Sequence, residues 1–116
     1  MKKLIPILIL VLAVGCKTRK TPFSWEGYSE SLYNVKENPG KQSVKQHRKV
    51  LRSIVKRSNQ DKELQVPPGV YAELGYYLIQ DNKIKKGKKF LRKEKKLYTE
   101  SKIFVNRIMD RIDQTQ

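Results

Sequence analysis

The chain has 116 residues, with 26 Lys and Arg against 11 Asp and Glu, and a formal net charge of +15 at neutral pH. A single cysteine and a single histidine exclude an internal disulfide framework and the His/Cys ligand sets of zinc sites, and the length suits one small domain. In a cytoplasmic protein such a charge would point to nucleic acid, so the compartment decides what it means.

The first residues address the compartment. Lys2 and Lys3 precede an apolar run from Leu4 to Gly15, and Cys16 follows directly. A basic start, about 7–15 apolar residues and a small residue before the cut describe a secretory signal. The run is shorter than the about 20 residues a spanning helix needs. Ala13-Val14-Gly15-Cys16 resembles the lipobox of bacterial lipoproteins, in which the thiol accepts a diacylglycerol and the leader is cut just before it. Ala13 departs from the Leu usual at its position. By this resemblance residues 1–15 are a lipoprotein signal peptide and Cys16 is the lipidated first residue of the mature chain. The alternatives are an ordinary signal peptide with an unpaired cysteine, or an apolar anchor that is never cut. Lipidation leaves no thiol exposed to an oxidising compartment, and two or three acyl chains hold where a single one binds only marginally. Lys17 is not the aspartate that retains enterobacterial lipoproteins at the inner membrane, so the expected location is the cell envelope, at the outer membrane and facing the periplasm.

Residues 16–23 form a lipidated N-terminus and short polar tether. Its Lys17, Arg19 and Lys20 either touch anionic headgroups or are simply solvated. Losing Lys2 and Lys3 with the leader lowers the charge of +15 by two. Export also takes the domain away from nucleic acid. The remaining polyanions are lipid phosphates, cell-wall carboxylates or an acidic partner protein.

Residues 24–116 read as helices. Trp25, Tyr28, Leu32 and Val35 recur at helical spacing, and Asn38-Pro39-Gly40 stops that helix. Val44, His47, Leu51, Ile54 and Val55 make a second run, followed by a polar loop from Arg57 to Gln65. Val66-Pro67-Pro68-Gly69 opens a third helix, since proline suits the first helical turn. Its apolar face is Val70, Tyr71, Leu74, Tyr77 and Leu78, and Asp81-Asn82 is a turn. A fourth helix carries Ile84, Gly87, Phe90, Leu91, Leu97 and Tyr98. Thr99 or Ser101 caps a fifth, with Phe104, Val105, Ile108, Met109 and Ile112 inward. The expected fold is all-α, about five helices in antiparallel pairs after the signal segment.

The third and fourth helices span about 34 residues, the length of a tetratricopeptide repeat. Tyr71, Leu74-Gly75, Leu78, Gly87 and Leu91 fit that repeat's pattern, whereas Glu94 and Thr99 depart from it. Gly75 and Gly87 would let the two helices approach closely, offsetting about 1 kcal/mol of lost helix propensity each. Helices one and two resemble a degenerate copy, and the fifth would be the terminal cap; a plain helical bundle is the alternative. Trp25-Glu26-Gly27-Tyr28, Leu32-Tyr33, Asn38-Pro39-Gly40 and Val66-Pro67-Pro68-Gly69-Val70-Tyr71-Ala72-Glu73-Leu74-Gly75-Tyr76 together resemble a family of small bacterial lipoproteins, domain of unknown function 4810. The resemblance covers nearly all of the mature chain. It implies a periplasm-facing, tetratricopeptide-like protein, similar to components encoded beside curli-secretion-type lipoproteins, and it carries over no catalytic residue.

No constellation for catalysis stands out. His47 lies between Gln46 and Arg48 and reads as a solvated or half-buried helix position. The acids are scattered, and Lys86-Gly87-Lys88 lies within a helix rather than in a phosphate loop. The protein is therefore expected to be no enzyme, with no cofactor, metal, nucleic acid or small-molecule substrate. Two surfaces remain. The tetratricopeptide groove positions fall on Ala72, Tyr76, Ile79 and Gln80 of the third helix and on Glu26, Glu30 and Tyr33 of the first; Tyr33, Tyr76 and Gln80 are the candidate partner contacts, the alternative for Tyr76 being core packing. The basic run 83–96 is either a solvated face or a contact for anionic surfaces through Lys85, Lys89 and Lys93. The expected function is a lipid-anchored adaptor that binds an envelope protein through its helical surface. The alternative is a membrane- or wall-binding module that uses the basic helix.

Overall fold

The computed structural model describes residues 23–116. They form five α-helices: α1 (Tyr28–Glu37), α2 (Lys41–Gln60), α3 (Val70–Gln80), α4 (Ile84–Leu97) and α5 (Lys102–Gln114), with a 3₁₀ turn at Thr99–Ser101. The expected all-α class is what is found. Among the described residues the one β-type contact is an isolated parallel bridge between Phe23 and Gln65. It pins the start of the domain to the segment that leads into α3. No helix among the described residues is long and apolar enough to cross a membrane.

The α1–α2 hairpin turns where the sequence says it must. Pro39 has no N–H to continue α1 and pushes Asn38 out of helical geometry. Ser43 then closes the turn, its hydroxyl donating to the carbonyl of Asn38 at 2.7 Å. Beyond it α2 runs to Gln60, so the polar loop expected from Arg57 begins later. The reason is the packing stripe of α2, which is Ser43, His47, Leu51, Ile54 and Ser58. Three of its five members are polar, so a count of apolar residues ends the helix a turn too soon. The third helix starts late rather than early. Gly69 adopts a left-handed conformation (φ 92°), and the two prolines precede the helix instead of forming its first turn.

The core joins Leu51 and Ile54 of α2 to Val66, Val70, Tyr71 and Leu74, with Tyr28, Val50, Val55, Tyr77 and Phe90 packed around it. The α3–α4 hairpin turns at Asp81–Asn82, where Asn82 takes the left-handed geometry (φ 61°) that Asn tolerates. Its helices meet at Gly75 and Gly87. A Cβ on Gly87 would lie 2.8 Å from the Gly75 carbonyl oxygen, and one on Gly75 would lie 2.9 Å from the Gly87 oxygen. Tyr98 leaves the end of α4 and donates its hydroxyl to the Val66 carbonyl. Leu97, at the end of α4, is exposed.

Glu94, the residue that breaks the repeat pattern, has a structural task. It is 2% exposed, and its carboxylate accepts the Gly69 N–H at 2.7 Å at the start of α3. Unpaired N–H groups and the helix dipole favour an anion there. Burial nevertheless wins, and the carboxyl is held above the ordinary glutamate range, with the N–H groups of Gly69, Ala72 and Tyr71 opposing the shift. A raised folded-state pKa means the native protein holds this proton more tightly than the unfolded chain. Its stability contribution is therefore present below the ordinary glutamate value and is lost as pH rises through the folded value. Glu94→Gln keeps an acceptor for Gly69 and should remove this pH-dependent component in urea titrations across pH 4 to 7. Glu94→Ala should cost about 2–4 kcal/mol at low pH, through a void and an unpaired N–H, and less as pH rises.

Candidate functional site

α1, α3 and α5 border an open groove of ≈ 820 Å³, with His47 of α2 at its floor. α3 contributes Ala72, Glu73, Tyr76, Tyr77 and Ile79, and α1 contributes Leu32. α5 contributes Phe104, Arg107, Ile108, Arg111 and Ile112, which fall at helical spacing and share one face. Tyr76 is 51% exposed and Phe104 59% exposed, so two large rings in the lining are open to water. Exposed apolar surface of this kind, edged by charge, marks interaction sites in soluble domains.

Beneath the groove lies a polar network that ties three helices together. His47 is 1% exposed. Its Nδ1 is 2.7 Å from the Ser31 hydroxyl of α1, and its Nε2 is 3.1 Å from Oε2 of Glu73 on α3. The other carboxylate oxygen accepts the Tyr28 hydroxyl at 2.7 Å. A carboxylate only accepts, so Nε2 carries a proton. Nδ1 then accepts from Ser31 when the ring is neutral and donates to it when the ring is charged. Burial pushes the Tyr28 phenol up, and its bond to the Glu73 carboxylate adds to the effect. Tyr28 and Tyr77 stand edge-on to the imidazole, with centroids at 5.5 and 6.5 Å. The expectation of a solvated or half-buried His47 is thus corrected. Gln46 faces water and Arg48 pairs with Asp81 over the Tyr77 ring, while the imidazole follows the core stripe of α2. Ser31 is itself buried, and when Nδ1 carries a proton its hydroxyl donates instead to the Tyr28 carbonyl, 3.0 Å away. The network reads as a buried clasp.

The sequence-derived candidates divide. Tyr76 lines the groove, as do Ala72 and Ile79, whereas Gln80 is exposed outside the lining. Tyr33 is 64% exposed but does not line the groove; Leu32 takes that place on α1. Glu30 is exposed outside the lining, and Glu26 precedes α1 and pairs with Arg57. On α4, Lys85 and Lys89 are exposed. Lys93 is half-buried instead, its ammonium 5.4 Å from the Tyr71 ring centroid and 5.5 Å from that of Phe90. Its neighbours Lys88 and Lys95 turn to α5, bound to Asp113 and Asn106. Cys16 and the signal segment lie outside the described residues.

The apolar spacing of α5 places Phe104, Val105, Ile108, Met109 and Ile112 inward; of these only Val105 is fully buried, and Phe104 is open to the groove. A helix with nothing packed on its far side shows the same apolar period as one that is covered. Arg107 and Arg111 were not singled out, although their spacing beside Ile108 and Ile112 was visible. Among the described residues no group of three His, Cys, Asp or Glu side chains is placed to hold a metal ion.

A family model described as "Domain of unknown function (DUF4810)" matches residues 23–108. No curated protein and no solved structure matches the chain.

Proposed function

The chain belongs to the family with that description, Domain of unknown function (DUF4810), and from this premise we propose that it is a lipid-anchored, non-enzymatic adaptor of the cell envelope. It holds a partner protein in the groove between α1, α3 and α5. The observation that carries this reading is the pair of exposed rings, Tyr76 and Phe104, that both line one mostly apolar groove. Aromatic side chains of this kind dominate protein interfaces.

The tetratricopeptide-like reading accounts for the arrangement. The first helix of each pair, α1 and α3, borders the groove, and α5 borders it too, as the first helix of a next repeat would. The glycine contact of α3 with α4 fits the close packing within such a pair. The lipobox-like segment ending at Cys16 supplies the anchor. Residue Lys17 favours the outer membrane, with the helical domain in the periplasm.

Tyr76→Ala combined with Phe104→Ala tests the groove. Co-purification of one stoichiometric partner from crosslinked envelopes should be lost. Stability should stay within about 0.5 kcal/mol, as for other surface changes. Retained co-purification contradicts the proposal, and loss of fold would return both rings to a packing role. The second reading, a membrane- or wall-binding module, draws on the exposed Lys85, Lys86, Lys89, Arg92 and Lys96 of α4.

A further inference from the structure

We infer that the groove's occupant is an acidic amphipathic helix of the partner protein. The inference rests on the groove being the docking site and adds the chemistry of what docks. Arg107 and Arg111 stand one turn apart on α5, both exposed at the groove, and neither forms an ion pair among the described residues. Each flanks an apolar contact, Ile108 or Ile112, on the same face. Glu73, the only acid in the lining among the described residues, accepts from Tyr28 and His47 on the floor and leaves the arginines uncompensated. An occupant must therefore bring apolar side chains for the channel and carboxylates for its rim. Guanidinium groups bind carboxylates in a planar, two-bonded geometry.

A helix meets both needs with one spacing. Carboxylates four residues apart on its flank would match Arg107 and Arg111, and an apolar stripe at three- and four-residue steps would face Tyr76, Phe104 and Ile108. α5 has 13 residues, about 20 Å at 1.5 Å per residue, which suits a docked helix of similar length. A second copy of this chain is a poor occupant. Its longest helices, α2 and α4, are cationic and would place Lys and Arg against the same arginines. An acyl chain with an anionic head is also disfavoured, because it would lie against His47 and the Glu73 carboxylate in a channel open along one side.

The test pans the full-length chain, solubilised in detergent, against a display library of random peptides of about 15 residues, enough to match α5. Binding is then measured for the enriched peptides and for a fluorescent fatty acid. The expected peptides carry Asp or Glu four apart beside an apolar stripe, and lose binding to Tyr76→Ala/Phe104→Ala. They should bind Arg107→Glu/Arg111→Glu about tenfold or more weakly, and Lys85→Glu/Lys89→Glu unchanged. Groove-dependent peptides that are neutral or basic, or that ignore Arg107→Glu/Arg111→Glu, would overturn the acidic occupant and leave the groove standing. Enrichment that ignores Tyr76→Ala/Phe104→Ala would overturn both. A fatty acid that displaces the peptides and depends on the same arginines would assign the groove to lipid. Circular dichroism of each variant checks that the helices are intact.

Discussion

Gly87→Ala is expected to lower the unfolding free energy by about 1–3 kcal/mol, even though Ala favours a helix over Gly by about 1 kcal/mol. Propensity loses here because the added methyl has nowhere to go. It would sit 2.6 Å from Cγ1 of Ile79 and 2.8 Å from the Gly75 carbonyl oxygen. The isoleucine can rotate away, but the carbonyl belongs to the facing helix, so α3 and α4 must separate. That movement disturbs Leu91, which is fully buried at the crossing. Gly75→Ala meets the Gly87 oxygen at 2.9 Å and should behave alike. Once the helices have parted for one methyl the second costs less, so the double variant should lose less than the sum of the two. Gly40→Ala is the control, since nothing lies within 4 Å of its Cβ and its φ of 166° is ordinary extended backbone. Urea unfolding of the three single variants checks the order. Equal stability of Gly87→Ala and Gly40→Ala would remove the glycine contact as a cause of the α3–α4 hairpin.

The second large effect belongs to His47. His47→Ala should cost about 2–4 kcal/mol, from a core void plus the lost partners of Ser31 and Glu73. The loss should be uneven along the chain. α1 reaches the core through Tyr28 and joins α3 through the Tyr28–Glu73 bond, which His47 braces from the other oxygen. Without the imidazole, amide exchange should rise first and most in Tyr28–Glu37, while the α3–α4 hairpin keeps its protection. His47→Gln can restore one of the two hydrogen bonds and should recover part of the loss. Uniform loss of protection over all five helices would show that the clasp serves the whole domain rather than the docking of α1.

Much of the fold was legible in the sequence because its signals are local. Asn38-Pro39-Gly40 and Asp81-Asn82 mark turns by backbone chemistry alone. Gly75 and Gly87 announced a close approach because a glycine inside an apolar helix needs a reason. What was illegible in the core shares one cause. His47, Ser31 and Glu94 are polar side chains at core positions, made acceptable by partners 16, 26 and 25 residues away in the chain. No local pattern names those partners. In the groove, Tyr76 was found from repeat positions, but Phe104 was assigned inward, since periodicity reports an apolar face and not whether anything covers it.

The most direct test of the adaptor reading places a photo-crosslinking residue, one variant at a time, at Tyr76, Phe104 and Lys89 of the full-length chain in its native envelope. The account predicts one discrete protein adduct, the same from positions 76 and 104, and none from position 89. Adducts to lipid or wall material from position 89, with nothing from the groove, would contradict it.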